Sequence, residues 1–350
     1  DTELKASEDY SAAFDSTTGF LTITMLAGGK GAAATAIKVS GKVIDPSKVT
    51  KEDVIGAVDP STGAETGAQV IRQVYPRLGI VPGLILAPGW SQIPEVGLAL
   101  AAKAAKINGV YSAMALLDLD TAKAKKYTDT KSVKEESGYT SPFCYPLWPC
   151  DRVGEYILAK SAVAGAMIQY MASDNEDVPN QSPSNHLLGV GGQCLVDGTE
   201  VYLDQDQANT VNGYGVTTAI NQNGYRLWGN YTGAYPASSD AKDIWFAVRR
   251  MFSWQGNNFI QTYFDEVDDP MNNVLVQSVV DSENIRCSAY APKYWAGASI
   301  EYKSDDNPKT AILAGTMKFR QHIAPYTPAQ EIVDIIDYDT DTLAAAVGGN

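Results

Sequence analysis

Two aspartates, Asp118 and Asp120, stand where an open α/β sheet often carries a ligand site. They end the apolar segment 110–120, a predicted buried strand, and ligands in such folds bind beyond the carboxyl ends of parallel strands. Carboxylate oxygens there suit Mg²⁺ or a phosphorylated ligand held through a metal. Aspartate is also a preferred helix N-cap at this place, and Leu119 separates the two carboxylates. The pair is compatible with an α/β enzyme or with a helix cap, and the cap is the simpler interpretation.

Two further stretches are candidates for chemistry. Four carboxylates that could bind Ca²⁺ or do acid–base work precede Pro270: Asp265, Glu266, Asp268 and Asp269. They more simply place negative charge before the helix predicted from residue 271, where the helix dipole favours it. The stretch 28–35, GGKGAAAT, lacks the GxxxxGK(S/T) spacing of a phosphate loop and is predicted to be a loop.

Histidine and cysteine are scarce in the 350 residues. The two histidines, His186 and His322, leave little material for a zinc site or a histidine-based triad. The four cysteines form no CxxC pair, which is typical of a reduced protein made in the cytosol. The residues therefore predict a protein with no catalytic residue, metal or cofactor.

The charge and the hydropathy narrow the classes of partner. A net charge of -14 argues against nucleic acid and anionic membrane surfaces, since both need clustered Lys and Arg. No apolar run reaches the length of a membrane span, and we expect no export signal. The chain opens with DTELKASEDY, without Met, so we expect an N-terminally truncated fragment.

Three parts are predicted along the chain. Residues 1–78 are expected to form a small β-rich domain, with strands at 19–26 and 35–44. Residues 79–327 are expected to form an α/β core. Residues 328–350 are expected to be a C-terminal arm carrying a strand.

The fold class follows from the start of the core. The apolar run 79–89, the Ala- and Leu-rich helix 93–107 and the strand 110–120 make a βαβ unit with a parallel strand pair. We predict a mixed sheet flanked by helices, of α/β (α+β) class. Further helices are predicted over 152–174, 242–267 and 271–285, and residues 310–327 are predicted to be mostly extended.

The stretch 223–233, NGYRLWGNYTG, is dense in aromatics and glycines and is predicted to be a structural corner on a β-hairpin. Gly224 permits the turn and Gly229 lets the chain leave it tightly. Tyr225 and Leu227 would point to one face, with Arg226 and Trp228 on the other. We expect Trp228 in the core and Arg226 bonded to a carboxylate or a carbonyl.

Two neighbouring arginines, Arg249 and Arg250, lie in a predicted aromatic-rich helix. They are possible interface charges, because buried arginines often pair with a carboxylate across an interface. The alternative is a surface arginine whose stem packs on apolar neighbours, and the sequence leaves both open.

Together, several stretches resemble the tail sheath proteins of contractile phages and of phage-tail-like bacteriocins. The resemblance runs from about residue 9 to the end and rests on the order and spacing of five motifs: VPGLILAPGWS (81–91), SPSN (182–185), GYRLWGNYT (224–232), WFAVRRM (245–251) and PAQEIVDIIDYD (328–339).

The resemblance implies a structural role in a virion tail sheath, with the subunit made in the cytoplasm of a host bacterium. Such subunits stack as hexameric rings in a helical sheath around a tail tube. They meet baseplate and tail terminator proteins, and contract to drive the tube through an envelope. The first part of the chain would be a domain inserted into the sheath core, and the usual N-terminal arm would be missing.

The resemblance also implies that extended arms add strands to sheets of neighbouring subunits. The candidate intersubunit strand carries apolar groups on both faces. Its residues are Glu331, Ile332, Val333, Asp334, Ile335, Ile336, Asp337 and Tyr338.

Overall fold

A computed structural model describes residues 2–15, 18–40 and 45–348. They form a mixed α/β fold of several small sheets and helices. The chain divides into two compact units, Asp1–Val49 and Thr50–Asn350.

The strands, in chain order, are β1 (Tyr10–Phe14), β2 (Leu21–Met25), β3 (Leu84–Leu86), β4 (Met114–Asp118), β5 (Cys144–Leu147), β6 (Cys150–Val153), β7 (Tyr156–Leu158), β8 (Gly192–Cys194), β9 (Thr218–Asn221), β10 (Tyr225–Trp228), β11 (Trp295–Glu301) and β12 (Arg320–Pro325).

The α-helices are α1 (Lys51–Ile55), α2 (Val74–Leu78), α3 (Pro94–Ala105), α4 (Thr130–Ser137), α5 (Lys160–Ser173), α6 (Gln205–Gly213), α7 (Ala241–Ile244), α8 (Phe246–Thr262), α9 (Asn273–Ala289), α10 (Lys309–Leu313) and α11 (Thr340–Ala346). Short 3₁₀ turns cover Pro46–Lys48, Gly67–Gln73, Tyr127–Asp129, Phe264–Glu266 and Ser304–Asp306.

The smaller unit contains the antiparallel hairpin β1–β2. The Asp9 carboxylate organises its base by accepting the backbone N–H groups of Lys5 at 2.9 Å and Lys30 at 2.7 Å. The strand predicted at 19–26 is confirmed. Of the strand predicted at 35–44, residues 35–40 have no regular structure and 41–44 lie outside the described residues.

A parallel sheet, β3–β4–β5, forms the centre of the larger unit. Side chains alternate along β4, as a strand buried on both faces requires. Ala115 and Leu117 belong to the apolar cluster of α3, whereas Met114 and Leu116 belong to that of α5. The predicted βαβ unit is confirmed, with a helix on each face of the sheet.

The other sheets of the larger unit are small and antiparallel. They comprise β7–β6–β8, the hairpin β9–β10 and the pair β11–β12. Helix α9 packs on β11, and α8 contacts β12.

Several predicted elements differ from the structure. The helix predicted over 242–267 is two helices, α7 and α8, separated at Trp245, and α8 ends at Thr262. The helix predicted over 152–174 begins only at Lys160, because Gly154, at φ 60°, turns the chain between β6 and β7. The segment 310–327 contains α10 before β12. Residues 330–339 lie outside any strand of the described subunit.

Candidate assembly site

The Asp118 carboxylate caps α5 from the end of β4. Its Oδ1 accepts the backbone N–H of Ser161 at 2.8 Å, and its Oδ2 accepts the hydroxyls of Ser161 at 2.5 Å and Ser91 at 3.0 Å. Burial raises the pKa of this carboxyl, and the hydrogen bonds from Ser161 oppose that effect. With both oxygens engaged, Asp118 fastens the sheet to the helix.

The other candidate carboxylates form no metal site in the described residues. Asp120 accepts the N–H of Ala122 at 2.9 Å, which closes a turn. Helix α9 is capped by Asn272, whose side chain accepts the N–H of Leu275 at 2.9 Å. Within residues 2–15, 18–40 and 45–348, His, Cys, Asp and Glu form no group of three or more that could hold a metal ion.

The corner at 223–233 has the predicted hairpin geometry. Asn223 and Gly224 both adopt positive φ, 53° and 105°, as a tight turn between β9 and β10 requires. Tyr225 and Leu227 are buried on one face. At Gly229 a Cβ would lie 2.5 Å from Thr217 Oγ1, so only glycine fits without movement.

The other face of the corner confirms one prediction and corrects another. Arg226 donates to the carbonyls of Gln222 at 3.0 Å and Asn185 at 2.8 Å, as expected. The prediction that Trp228 packs in the core is wrong: it is half-buried, and its indole N–H donates to Asn209 Oδ1 at 2.8 Å. Trp228 lies over α6 because strand alternation gives the core side of β10 to Tyr225 and Leu227.

Arg249 and Arg250 have different surroundings. Arg249 forms an ion pair with Asp243 at 3.2 Å and lies over the Phe143 ring, 4.9 Å from its centroid. Arg250 lies 5.5 Å from the centroid of the Phe246 ring and has no ion pair among the described residues. Burial lowers the pKa of Arg250 to about 10. Its guanidinium lines a cavity of about 810 Å³ next to β3.

The pair β11–β12 is a short sheet held on two helices. Asn284 of α9 exchanges two 3.0 Å hydrogen bonds with the backbone of Ile300. Gln321 of β12 donates to the buried Glu283 carboxylate at 3.0 Å. Burial alone would raise the pKa of Glu283, but hydrogen bonds from Arg286 and its neighbours hold it below the ordinary value. In the part of the chain that the structure describes, no third strand joins this sheet.

The chain keeps contact with the core for five residues beyond β12. The Tyr326 hydroxyl donates to the carbonyl of Pro292 at 3.0 Å, and the Tyr231 hydroxyl donates to Gln330 Oε1 at 2.6 Å. Pro328 is half-buried. From residue 331 to residue 348 every residue is exposed, and we call this stretch the free segment.

The free segment displays large apolar side chains to solvent. Their exposed fractions are 89% for Ile332, 70% for Val333, 79% for Ile335, 87% for Ile336 and 76% for Tyr338. Contiguous exposed apolar groups of this kind are typical of interaction sites. These side chains are suited to binding another apolar surface.

Sequence reasoning missed the contacts of the arm with the core. Tyr231 and Gln330 are 99 positions apart, so no local pattern joins them. The aromatic density of 223–233 was the available signal, but it was assigned to the hairpin alone. Glu283 was missed because an acid within a helix normally faces water, whereas this one is fully buried.

Comparisons with known proteins point to one family. The tail sheath protein of Burkholderia phage BcepMu is 26% identical over 332 residues, covering 91% of this chain and 68% of that protein. That of Escherichia phage P2 is 24% identical over 294 residues, covering 81% and 69%. A putative prophage major tail sheath protein of Pseudomonas aeruginosa is 29% identical over 228 residues, covering 63% and 54%. No family model matches the chain.

Solved structures show the same fold at low identity. The contracted sheath of the extracellular contractile injection system PVC has a TM-score of 0.62 at 18% identity, covering 79% of this chain and 76% of that one. The anti-feeding prophage baseplate, 6-fold symmetrised, has a TM-score of 0.61 at 18% identity, covering 86% and 83%.

The fold is that of these sheath and baseplate chains, and both oxygens of the candidate carboxylate Asp118 accept hydrogen bonds within it. The chain is similar in sequence to tail sheath proteins of contractile phages, and in fold to the sheath of a related contractile injection system. No helix in the described residues is both long and apolar enough to cross a membrane.

Proposed function

We propose that this chain polymerises into stacked hexameric rings around an inner tube and contracts to drive the tube through a target envelope. Support comes from its relatives, which are tail sheath proteins, and from similar chains in a contracted sheath and in a 6-fold baseplate. The partners are other copies of the chain, the tube, the baseplate and the terminator. Neither nucleic acid nor membrane is a partner.

One observation carries the proposal: residues 331–339 of the free segment form no helix, pair with no strand among the described residues and expose five large apolar side chains. Residues 331–339 can span up to about 30 Å when fully extended. That reach is enough to cross to a neighbouring subunit. Completing a neighbour's sheet would cover the apolar groups and satisfy the strand's backbone groups together.

The pair β11–β12 is the acceptor that fits best. Each of its two strands keeps one edge without a partner among the described residues, and a free edge is a template for strand addition. Helix α9 packs on β11 and helix α8 contacts β12, so the two strands are held in place and could accept a further strand at an edge. The arm itself leaves from the end of β12, so in a ring each subunit donates and receives at adjacent places.

For contraction, the same subunits must be able to pack in two different ways and must stay linked to one another while they change between them. The arms would act as flexible links, and the larger unit would rotate as a body between the two packings. Arg250, whose guanidinium has no ion-pair partner among the described residues, would contact a neighbour's carboxylate, and Arg249 would add a second positive charge beside it. Within each subunit we assign residues 1–78 to an inserted domain, 79–327 to the core and 328–350 to the arm.

A pair of deletions tests the proposal in the full-length protein. Removing residues 331–350 should abolish polymerisation, because it removes the donated strand. Removing only residues 340–350 takes away α11 and keeps the strand, so polymers should still form. Polymers are measured by sedimentation and negative-stain electron microscopy.

The thermal unfolding midpoint of both deletion variants should equal that of the intact subunit, since the free segment is exposed throughout. Tubes of normal length from the 331–350 deletion would refute the proposal.

A further inference from the structure

The aromatic corner after β10 places one phenol against the C-terminal arm. The Tyr231 ring stacks on Tyr235, with centroids 3.7 Å apart and planes inclined by 5°, and on Trp245 at 4.8 Å. Its backbone is fixed as well, because Tyr231 and Trp245 form an isolated antiparallel bridge. Thr232 next to it donates its N–H to the carbonyl of Ile244 at 2.8 Å. The position of the Tyr231 ring is therefore fixed by its neighbours.

The Tyr231 hydroxyl binds the part of the chain that leads to the free segment. It donates to Gln330 Oε1 at 2.6 Å. Four residues earlier, the Tyr326 hydroxyl donates to the Pro292 carbonyl at 3.0 Å. Between the two anchors Pro328 is half-buried and has a fixed φ, which stiffens the connection. We call residues 326–330 the arm root.

We propose that Tyr231 and Tyr326 are positioning residues that clamp the arm root to the core, so that the flexible joint of the arm lies at Gln330–Glu331. This inference rests on the proposed function, since it assigns the point from which the donated strand swings. The exposure pattern agrees with it: contacts with the core stop at Gln330, and residues 331–348 are all exposed.

The clamp sets the reach of the arm. With the root held, the tether from the core to the end of the predicted strand is residues 331–339. If the root is released, the tether gains five residues and up to about 16 Å of extended length. The effective concentration of a tethered strand falls roughly as the −3/2 power of tether length, so release lowers it about twofold.

The clamp is also weak enough to open. Each anchor is an exposed hydrogen bond, and the net contribution of such a bond corresponds to a closed-to-open ratio of about 2–10. A joint of this strength is closed in most unassembled subunits and can open while the core stays folded.

Tyr231→Phe is the direct test, because it removes the hydroxyl and keeps the aromatic stack. We measure ¹⁵N backbone order parameters of Ala329 to Ile332 in the unassembled subunit. The wild type should show about 0.85 up to Gln330 and below about 0.6 from Ile332 onward. In Tyr231→Phe the values at Ala329 and Gln330 should drop below about 0.6, and polymerisation should slow about twofold.

Three variants control this test. Gln330→Glu keeps an acceptor and should retain the wild-type order, whereas Gln330→Leu should behave as Tyr231→Phe. Tyr338→Phe makes the same chemical change in the free segment, where Tyr338 is 76% exposed, and should change nothing at Ala329.

Wild-type order parameters at Ala329 and Gln330 in Tyr231→Phe would overturn the clamp. That failure is separate from failure of the proposed function, because the order parameters are measured in the monomer. Polymerisation of the 331–350 deletion would overturn the function and leave the clamp measurement standing.

Discussion

Placing charge on the strand that we propose to be donated should stop assembly and leave the subunit folded. The double variant Ile332→Asp/Ile336→Asp alters one face of the predicted strand, since the two positions are four apart and side chains alternate. In the unassembled subunit these side chains are 89% and 87% exposed. Their replacement should therefore change the free energy of unfolding by no more than about 0.5 kcal/mol.

The effect on assembly is much larger. Burying one isoleucine side chain contributes about 1.5–3 kcal/mol, so losing two costs about 3–6 kcal/mol for each strand that is added. Burying carboxylates without partners adds at least about 1 kcal/mol. Since each 1.4 kcal/mol is a factor of ten, the threshold concentration for polymerisation should rise about a thousandfold or more.

The assay is light scattering of the full-length protein over a concentration series, with circular dichroism to confirm folding. Ile332→Val/Ile336→Val keeps two β-branched apolar residues and should polymerise close to the wild-type threshold. Leu313→Asp/Val274→Asp adds the same charge at two other exposed positions, 77% each, and controls for general repulsion. A folded double-aspartate variant that polymerises at the wild-type threshold would refute the reasoning.

Three further outcomes are expected. Asp118→Ala leaves the buried Ser161 N–H without its acceptor and should lower the free energy of unfolding by about 1–3 kcal/mol in urea titrations; an unchanged value would contradict its role as a cap. Burial lowers the pKa of Lys134 from 10.5 to about 8, so the unfolded chain binds more protons between these pH values and this group makes wild-type stability rise with pH there. The stability difference between wild type and Lys134→Met should accordingly change by up to about 3 kcal/mol from pH 8 to 10.5, and a flat difference would contradict the shifted pKa. Arg250→Met removes a half-buried cation without an ion-pair partner in the described residues, so it should leave the unfolding midpoint unchanged or raise it while weakening polymerisation; an unaltered polymerisation threshold would argue against an interface role.

The sequence predicted the elements whose patterns are strong and local. The helix α3 has Pro in its first turn and an Ala-rich body, and β4 is a continuous apolar run, so both were found together with their parallel pairing. The hairpin β9–β10 was found because Asn223-Gly224 demands a tight turn.

What the sequence could not supply depends on distant partners. The end of β6 and the whole of β7 lie in the segment 152–174, for which a helix was predicted. The position of β6 depends on its pairing with β8, some forty residues away. The position of Trp228 was predicted wrongly for a related reason. Strand alternation places Trp228 and Leu227 on opposite faces of the hairpin, but it does not determine which of the two faces packs on the core. The link from Tyr231 to Gln330 joins a core corner to the arm and has no local signature.

A cryo-electron microscopy reconstruction of the assembled sheath tests the central claim most directly. The account predicts that residues 331–339 of each subunit lie as a strand along an edge of β11–β12 of a neighbouring subunit. Density that places those residues against the core of their own subunit would contradict it.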